Sequence, residues 1–340
     1  ILAKQMRKKK IAVIAGGDSG EFGISMNSGK MVASILDNNL YDVYLIKIKG
    51  KEWNYEKENQ TFAIDKNDFS LLINENRIHF DCVFCAIHGS PGENGKMPAY
   101  FEMLNIPYTS SNSLTSAITF NKHICNTIVS SLNIVNVAKS LHFFDYEKID
   151  TDAILNYLDL PLFVKPNSGG SSVGISKVKQ PDSLLTAIKM AFIEDSEILV
   201  EEFVEGCELT CGVMETTGKL YVFPVCEVKS KNEYFDFESK YDPLLADEII
   251  PAPISESLDV NIKKISAYLY KKLNCAGVVR FDYIYSSKRR KLFFLEVNTV
   301  PGMTGESIVP KMAMEMGIEL PNLYKMMIED ALERKSQLEK

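Results

Sequence analysis

Residues 277–307 read GVVRFDYIYSSKRRKLFFLEVNTVPGMTGES, and the way this stretch pairs with itself decides the fold. Two apolar runs, Val278 to Tyr285 and Leu292 to Val297, flank the polar turn Ser286 to Lys291. That pattern predicts an antiparallel hairpin of β-branched and aromatic residues. Strand side chains alternate between faces, so Arg280 and Asp282 share one face, and Glu296 and Asn298 share one face of the partner strand. With the turn centred near Arg289, Asp282 lies opposite Glu296 and Arg280 opposite Asn298. An otherwise apolar ribbon then carries a guanidinium, two carboxylates and an amide on one side. Left without partners, such a set costs several kcal/mol to bury.

Two readings of that face are open. One is a salt bridge between Arg280 and an acid on a solvated surface. The other is a set of hard oxygen ligands for Mg²⁺, an ion that takes one or two carboxylates and completes its octahedron with water and phosphate. The metal reading is preferred, because Val278, Phe281, Phe294 and Val297 surround the polar four and Pro301-Gly302 follows, where backbone can approach a ligand.

With 340 residues, 46% of them hydrophobic, the chain can bury a large core in two or three domains. No apolar run approaches the length of a membrane span, and no signal peptide pattern follows Ile1 to Lys10. Seven cysteines, an odd number, suit a reducing cytoplasm. Cys82 and Cys85 resemble a CxxC pair but sit in the apolar run CVFCAI, where packing is expected of them. The four histidines show no zinc-like spacing. A net charge of -7 argues against a general nucleic-acid surface, and Lys288 to Lys291 reads as a solvated turn.

Toward the N-terminus, the strand Ile11 to Ala15 runs into the loop GGDSGEFGIS and a helix whose apolar face would carry Met31, Val32, Ile35 and Leu36. Strand, glycine loop and helix in that order suit an anionic ligand. With Val43 to Ile48 and Cys82 to Ile87 they predict βαβ units and a parallel sheet. The third strand leads into HGSPGENGKMPAYFEML, which places His88 and Glu93 in a glycine-rich loop beyond a strand end, where such sheets bind ligands. A helix is expected from about Ser113 to Leu132, containing Lys122. In LPLFVKPNSGGSSVGISKV, a strand ends at Lys165, and a Gly/Ser loop from Ser168 to Gly174 could fold over phosphates. Ser183 to Phe192 reads as a helix, and ILVEEFVEGCELTCGVM as a strand pair around Gly206. Glu201 and Glu208 there flank Phe203 and Val204, a combination able to hold a purine edge and a ribose. Lys229 to Pro253 is a long polar segment of the kind that serves as a lid, and Pro310 to Leu332 is a Met-rich helix.

In this order the stretches GGDSGEFGIS, HGSPGENG, VKPNSGGSSVG, ESKY and RFDY followed by LEVNTVPGMT resemble the ATP-grasp family, and within it most closely the D-alanine:D-alanine ligases, over residues 10 to 335. The resemblance implies an α/β chain whose N-terminal Rossmann-like parallel sheet, residues 1–112, precedes a two-domain ATP-grasp fold of α+β character. Its central subdomain would span 113–202. The C-terminal subdomain, 203–340, would hold the metal site and a lid loop over about 229–253. In that family ATP phosphorylates the carboxylate of one D-alanine, and the amine of a second displaces phosphate to give a dipeptide for peptidoglycan.

Carried over residue by residue, the resemblance has Lys122 and Lys165 hold the ATP phosphates under Ser171. Glu201, Phe203, Val204, Glu208 and Leu295 form the adenosine pocket. Asp282, Glu296 and Asn298 bind two Mg²⁺, with Mn²⁺ as a substitute. Arg280 and the backbone near Gly302 stabilise the oxyanion. Glu21 takes the ammonium of the first D-alanine with His88 nearby, and Ser307 and Ile308 line the second site. Lys240 and Tyr241 lie on the lid, where Tyr241 would reach Ser171 and favour an amine as second substrate. Three positions depart from the family's commoner pattern: Gly169 for an acid, Glu202 for a lysine at adenine, and Val300 for a serine. The resemblance also implies a cytoplasmic homodimer whose partners are ATP and D-alanine, with no nucleic acid and no membrane. Alternatives are another ATP-grasp carboxylate-amine ligase with different amino acids, and a serine hydrolase suggested by Gly17-Asp18-Ser19-Gly20.

Overall fold

The computed structural model describes residues 7–170, 173–230 and 246–338. Three sheets organise them. The first holds β1 (Lys9–Gly16), β2 (Tyr41–Lys49), β3 (Glu52–Lys57), β4 (Gln60–Asp65), β5 (Ser70–Ile73), β6 (Asn76–Ile78) and β7 (Cys82–Cys85), in the order β6-β5-β4-β3-β2-β1-β7. The three expected strands β2, β1 and β7 run parallel, and β3 to β6 extend the sheet as an antiparallel meander that the expectation did not include. Helix α1 (Phe22–Ile35) crosses from β1 to β2. It buries Ser25, Ser28, Gly29 and Val32, and of the expected apolar face Val32 and Leu36 are buried while Met31 and Ile35 are half-buried. Small residues let the helix sit directly on the strands: a Cβ on Gly29 would come within 2.5 Å of the Ala15 Cβ. The Ser25 hydroxyl accepts from Gly16 N–H and donates to the Ala86 carbonyl, both at 2.7 Å, so its burial leaves no polar group unpaired.

After α2 (Lys96–Met103) the long helix expected over 113–132 is two, α3 (Ser113–Phe120) and α4 (Lys122–Ser131). Asn121 separates them in extended conformation, and its side chain accepts from Ile124 N–H at 2.9 Å as the N-cap of α4. Removing that cap in Asn121→Ala should lower the unfolding free energy by about 1 kcal/mol, read from urea midpoints. The following β8 (Asn136–Val137) joins the third sheet.

The central sheet, β11-β10-β12-β9, is built from β9 (Ser140–Phe143), β10 (Leu162–Pro166), β11 (Ser176–Val178) and β12 (Ile198–Glu202). With α5 (Thr151–Tyr157) and α6 (Leu184–Glu194) it encloses its own core around Leu162, Val164, Ile188 and Val200. The third sheet, β16-β15-β13-β17-β18-β8 with β14 on β13, comprises β13 (Cys207–Thr216), β14 (Lys219–Val222), β15 (Cys226–Ser230), β16 (Ala246–Ile249), β17 (Val278–Ser286) and β18 (Lys291–Asn298). Thus β12 and β13 do not pair around Gly206 as expected; the chain passes there from one sheet to the other. Gly206 is pressed against the hairpin, and a Cβ on it would lie 2.3 Å from the Tyr285 carbonyl oxygen. Likewise the proposed loop 229–253 ends in a strand, β16, paired to β15.

Helix α7 (Glu256–Lys272) covers one face of this sheet, over Val279, Phe281 and Tyr283. The C-terminal helix is again two, α8 (Ile308–Glu315) and α9 (Leu320–Leu338), parted at Gly317 with φ +76°. Helix α9 packs on β7 of the first sheet, and Tyr324 meets Phe84 edge-on at 5.7 Å. One apolar core therefore runs through the first and third sheets, from Ile11 and Phe84 to Met312 and Ile328, whereas the central sheet keeps a core of its own.

Candidate active site

The opening hairpin forms as read. In β17 and β18 Arg280 faces Asn298 and Asp282 faces Glu296, with an irregularity after Asp282 that takes up Leu295. Val279, Phe281, Tyr283 and Phe294 are at most 1% exposed on the α7 side. At roughly 1.5–3 kcal/mol per fully buried side chain, they anchor the ribbon well beyond the cost of its polar face.

That face opens on a cleft of about 530 Å³ lined from all three sheets. Ser19, Glu21, Gly89 and Ser90 come from loops of the first sheet. The central sheet brings Phe163, Lys165, Gly169, Gly170 and Glu201, and the third brings Glu208, Thr210, Arg280, Asp282, Leu295 and Glu296. Lys122, Val204 and Ile308 complete the expected residues on its wall. Phe203, His88, Asn298, Gly302 and Ser307 are not among its lining residues. Ser171, Lys240 and Tyr241 lie outside the described residues.

Arg280 is found in the alternative the sequence offered. Its Nε and Nη2 donate to Asp282 Oδ1 and Oδ2, both at 2.8 Å, in a bidentate pair. Thr210 Oγ1 adds a bond to Oδ1 at 2.6 Å and Asn298 Nδ2 one to Oδ2 at 2.8 Å. Glu296 stands 3.5 Å from the Lys122 ammonium. Lys122 also donates to the Gly169 carbonyl at 2.8 Å, which ties α4 to the Gly/Ser loop. The negative charge of the hairpin is thus balanced by two cations that could turn to a ligand. Among the described residues no three His, Cys, Asp or Glu side chains gather as a metal set. Two carboxylates beside an amide oxygen nonetheless match the donors that Mg²⁺ takes when phosphate and water supply the rest.

At the other end of the cleft, Lys165 Nζ lies 2.6 Å from Glu201 Oε2. Glu201 Oε1 is buried and has no hydrogen-bond partner among the described residues, an orphan acceptor aimed at a donor such as a ribose hydroxyl. Phe203 stacks at a tilt on Phe163 at 5.8 Å and carries the Lys177 ammonium 3.8 Å from its ring centre. Glu202, one of the departures, takes Lys139 N–H at 3.0 Å and Arg289 Nη1 at 2.9 Å. The basic turn is therefore not merely solvated: Arg289 ties the hairpin to the rim of the central sheet, a contact invisible to local pattern.

On the first-sheet side, Glu21 is buried and Gly170 packs against it; a Cβ there would lie 2.6 Å from Glu21 Oε2. Ser19 Oγ donates to the His88 carbonyl at 2.9 Å and accepts from Glu21 N–H at 3.3 Å. It makes no contact with an imidazole, which removes the basis for a serine nucleophile. The His88 ring bonds Val300 and Ser28 instead, and burial holds its pKa below the usual range, against the pull of Glu21. Glu93, which the sequence placed beside His88 without a role, is half-buried. Its carboxyl is pushed up to about 8, chiefly by burial and next by the charge of Glu21.

Residues 10–111 match the family described as D-ala D-ala ligase N-terminus, and residues 127–329 the one described as D-ala D-ala ligase C-terminus. The chain is 41% identical to a "D-alanine--D-alanine ligase" of Parabacteroides distasonis over 329 residues, 96% of this chain and 99% of the relative. The D-alanyl-alanine synthetase A structure from Vibrio cholerae superposes with a TM-score of 0.87 at 27% identity, covering 96% of this chain and 99% of that one. The structure of D-alanine--D-alanine ligase from Bacillus anthracis complexed with ATP superposes with a TM-score of 0.77 at 30% identity, covering 97% and 99%.

Proposed function

This chain belongs to the D-alanine:D-alanine ligase family and is an ATP-dependent ligase that joins two D-alanines through an acyl phosphate for peptidoglycan precursors; from that premise we propose which residues carry each step. The chemistry sets a carboxylate against a phosphate, so neutralising accumulated negative charge is the main demand on the protein. The observation that carries the assignment is the register of the hairpin, which brings Asp282, Glu296 and Arg280 to one wall of a cleft whose far end holds Lys165 and the orphan oxygen of Glu201.

Lys122 and Lys165 bind the phosphates of ATP. Glu201 accepts from the ribose, and Phe203, Val204, Glu208 and Leu295 enclose the base. Asp282, Glu296 and Asn298 hold Mg²⁺, which when bound neutralises the phosphate oxygens as a Lewis acid. Glu21 binds the ammonium of the first D-alanine, and its buried position orients that substrate's carboxylate toward the phosphates. Arg280 leaves Asp282 to stabilise, with the Gly302 N–H, the oxyanion formed when the second amine attacks. Ser307 and Ile308 line the second site. Ser171, Lys240 and Tyr241 close over the reacting groups and exclude the water that would hydrolyse the acyl phosphate.

We further propose a homodimer in the cytoplasm. The neighbouring exposed side chains of Met103 on α2 and Leu114 on α3 support an apolar contact, and all seven cysteines are free thiols. No described helix is long and apolar enough to cross a membrane. Phosphate release measured across D- and L-amino acids tests the reading: turnover is expected with D-alanine, and its absence there would sink the assignment in favour of a related carboxylate-amine ligase.

A further inference from the structure

The segment that follows β18 is held unusually firmly, and mostly by the first sheet's domain. Glu93 Oε1 accepts from Val300 N–H at 3.2 Å, while its other oxygen accepts from Gly89 N–H at 2.7 Å. His88 Nδ1 lies 2.8 Å from the Val300 carbonyl. A carbonyl can only accept, so Nδ1 carries the proton, and in the neutral ring Nε2 is an acceptor. Nε2 meets Ser28 Oγ at 3.2 Å, and the Ser28 oxygen in turn accepts from Met303 N–H at 3.3 Å. Tyr324 OH donates to the Met303 carbonyl at 2.5 Å. Pro301 has no N–H. Both polar backbone groups on either side of Pro301-Gly302 are therefore fixed, and the Gly302 N–H makes no hydrogen bond to a described residue.

We propose that Glu93, with Ser28 and His88, forms a clamp that positions the Gly302 N–H for the oxyanion, so that Glu93 and Ser28 are positioning residues for turnover. The proposal rests on the assignment of Gly302 above. Its physical basis is that a backbone donor acts on developing charge only when aimed in advance, and a peptide gripped at both ends cannot turn away. The same carboxylate grips Gly89, against which Ser19 and Glu21 pack, so one side chain sets the first-substrate loop and the oxyanion segment relative to each other. Both Glu93 bonds run to backbone, so only the presence and reach of its two acceptor atoms matter.

The test is Glu93→Gln, which keeps the shape but leaves one acceptor for two donors, alongside Ser28→Ala. For each, kcat, the KM of ATP and of D-alanine, and the melting temperature are measured on the full chain. We expect kcat to fall about 10- to 100-fold in Glu93→Gln and about 3- to 10-fold in Ser28→Ala, with the KM of ATP within about twofold of wild type. A purely structural role would lower the melting temperature and leave kcat within twofold, and that result overturns the clamp. An equal rise in the KM of ATP would overturn it as well. If wild type turns over D-alanine while Arg280→Met keeps its rate, the assignment of Arg280 to the oxyanion fails by itself, whatever Glu93→Gln does.

Discussion

Glu296→Gln is expected to fold as wild type does and to lose D-alanine-dependent phosphate release by on the order of 10³-fold. Charge stabilisation by a bound divalent ion is worth several kcal/mol, and each 1.36 kcal/mol is tenfold in rate. The substitution keeps the volume of the side chain and removes its charge. In the fold, Glu296 is 25% exposed at the side chain and stands 3.5 Å from the Lys122 ammonium, for which the amide oxygen of the variant is still an acceptor. The melting temperature should therefore move by a few degrees at most, while activity disappears. Magnesium titration separates the causes: a lowered maximal rate with a raised metal requirement supports the ligand role. Near-normal turnover would refute it.

The hairpin that carries Glu296 was legible because strand periodicity is two. Once the turn was located, the faces and the opposite partners followed without any long-range information, and the register matches. What it could not say is which of two physically sensible partners Arg280 would take. The structure has it on Asp282, two residues along on the same strand face. The meander β3 to β6 was missed for a different reason. Its strands are short and largely exposed, although Trp53 and Tyr55 alternate with polar residues in β3, and the left-handed pairs Glu58-Asn59 and Asn74-Glu75 mark two-residue hairpin turns that a closer reading of turn chemistry could have used.

Other differences come from contacts distant in sequence. β12 and β13 looked like one hairpin around Gly206, yet each finds its partners elsewhere, and Gly206 serves a close approach to Tyr285. Helix α1 buries Ser25 as well as Val32 because the ends of β1 and β7 offer the hydroxyl hydrogen-bond partners there. The same reasoning explains His88: its loop position suggested a substrate contact, and only the arrival of Val300 and Ser28 shows both ring nitrogens engaged within the protein.

Arg280→Met is expected to separate the two halves of the reaction. The guanidinium is bonded to Asp282, and removing it leaves that carboxylate with Thr210 and Asn298, so a stability loss of about 1–3 kcal/mol is anticipated. If the arginine acts on the oxyanion of the second step, the variant still phosphorylates the first D-alanine. Isotope exchange between the bridging and non-bridging oxygens of ATP, driven by D-alanine, should then persist, while dipeptide formation falls about 10²–10³-fold. The KM of ATP should scarcely change, because the residues proposed for the phosphates are Lys122 and Lys165. Loss of exchange in proportion to loss of dipeptide would instead place Arg280 at the phosphoryl transfer. In that case its pairing with Asp282 is the working arrangement, and the oxyanion depends on the Gly302 N–H without it.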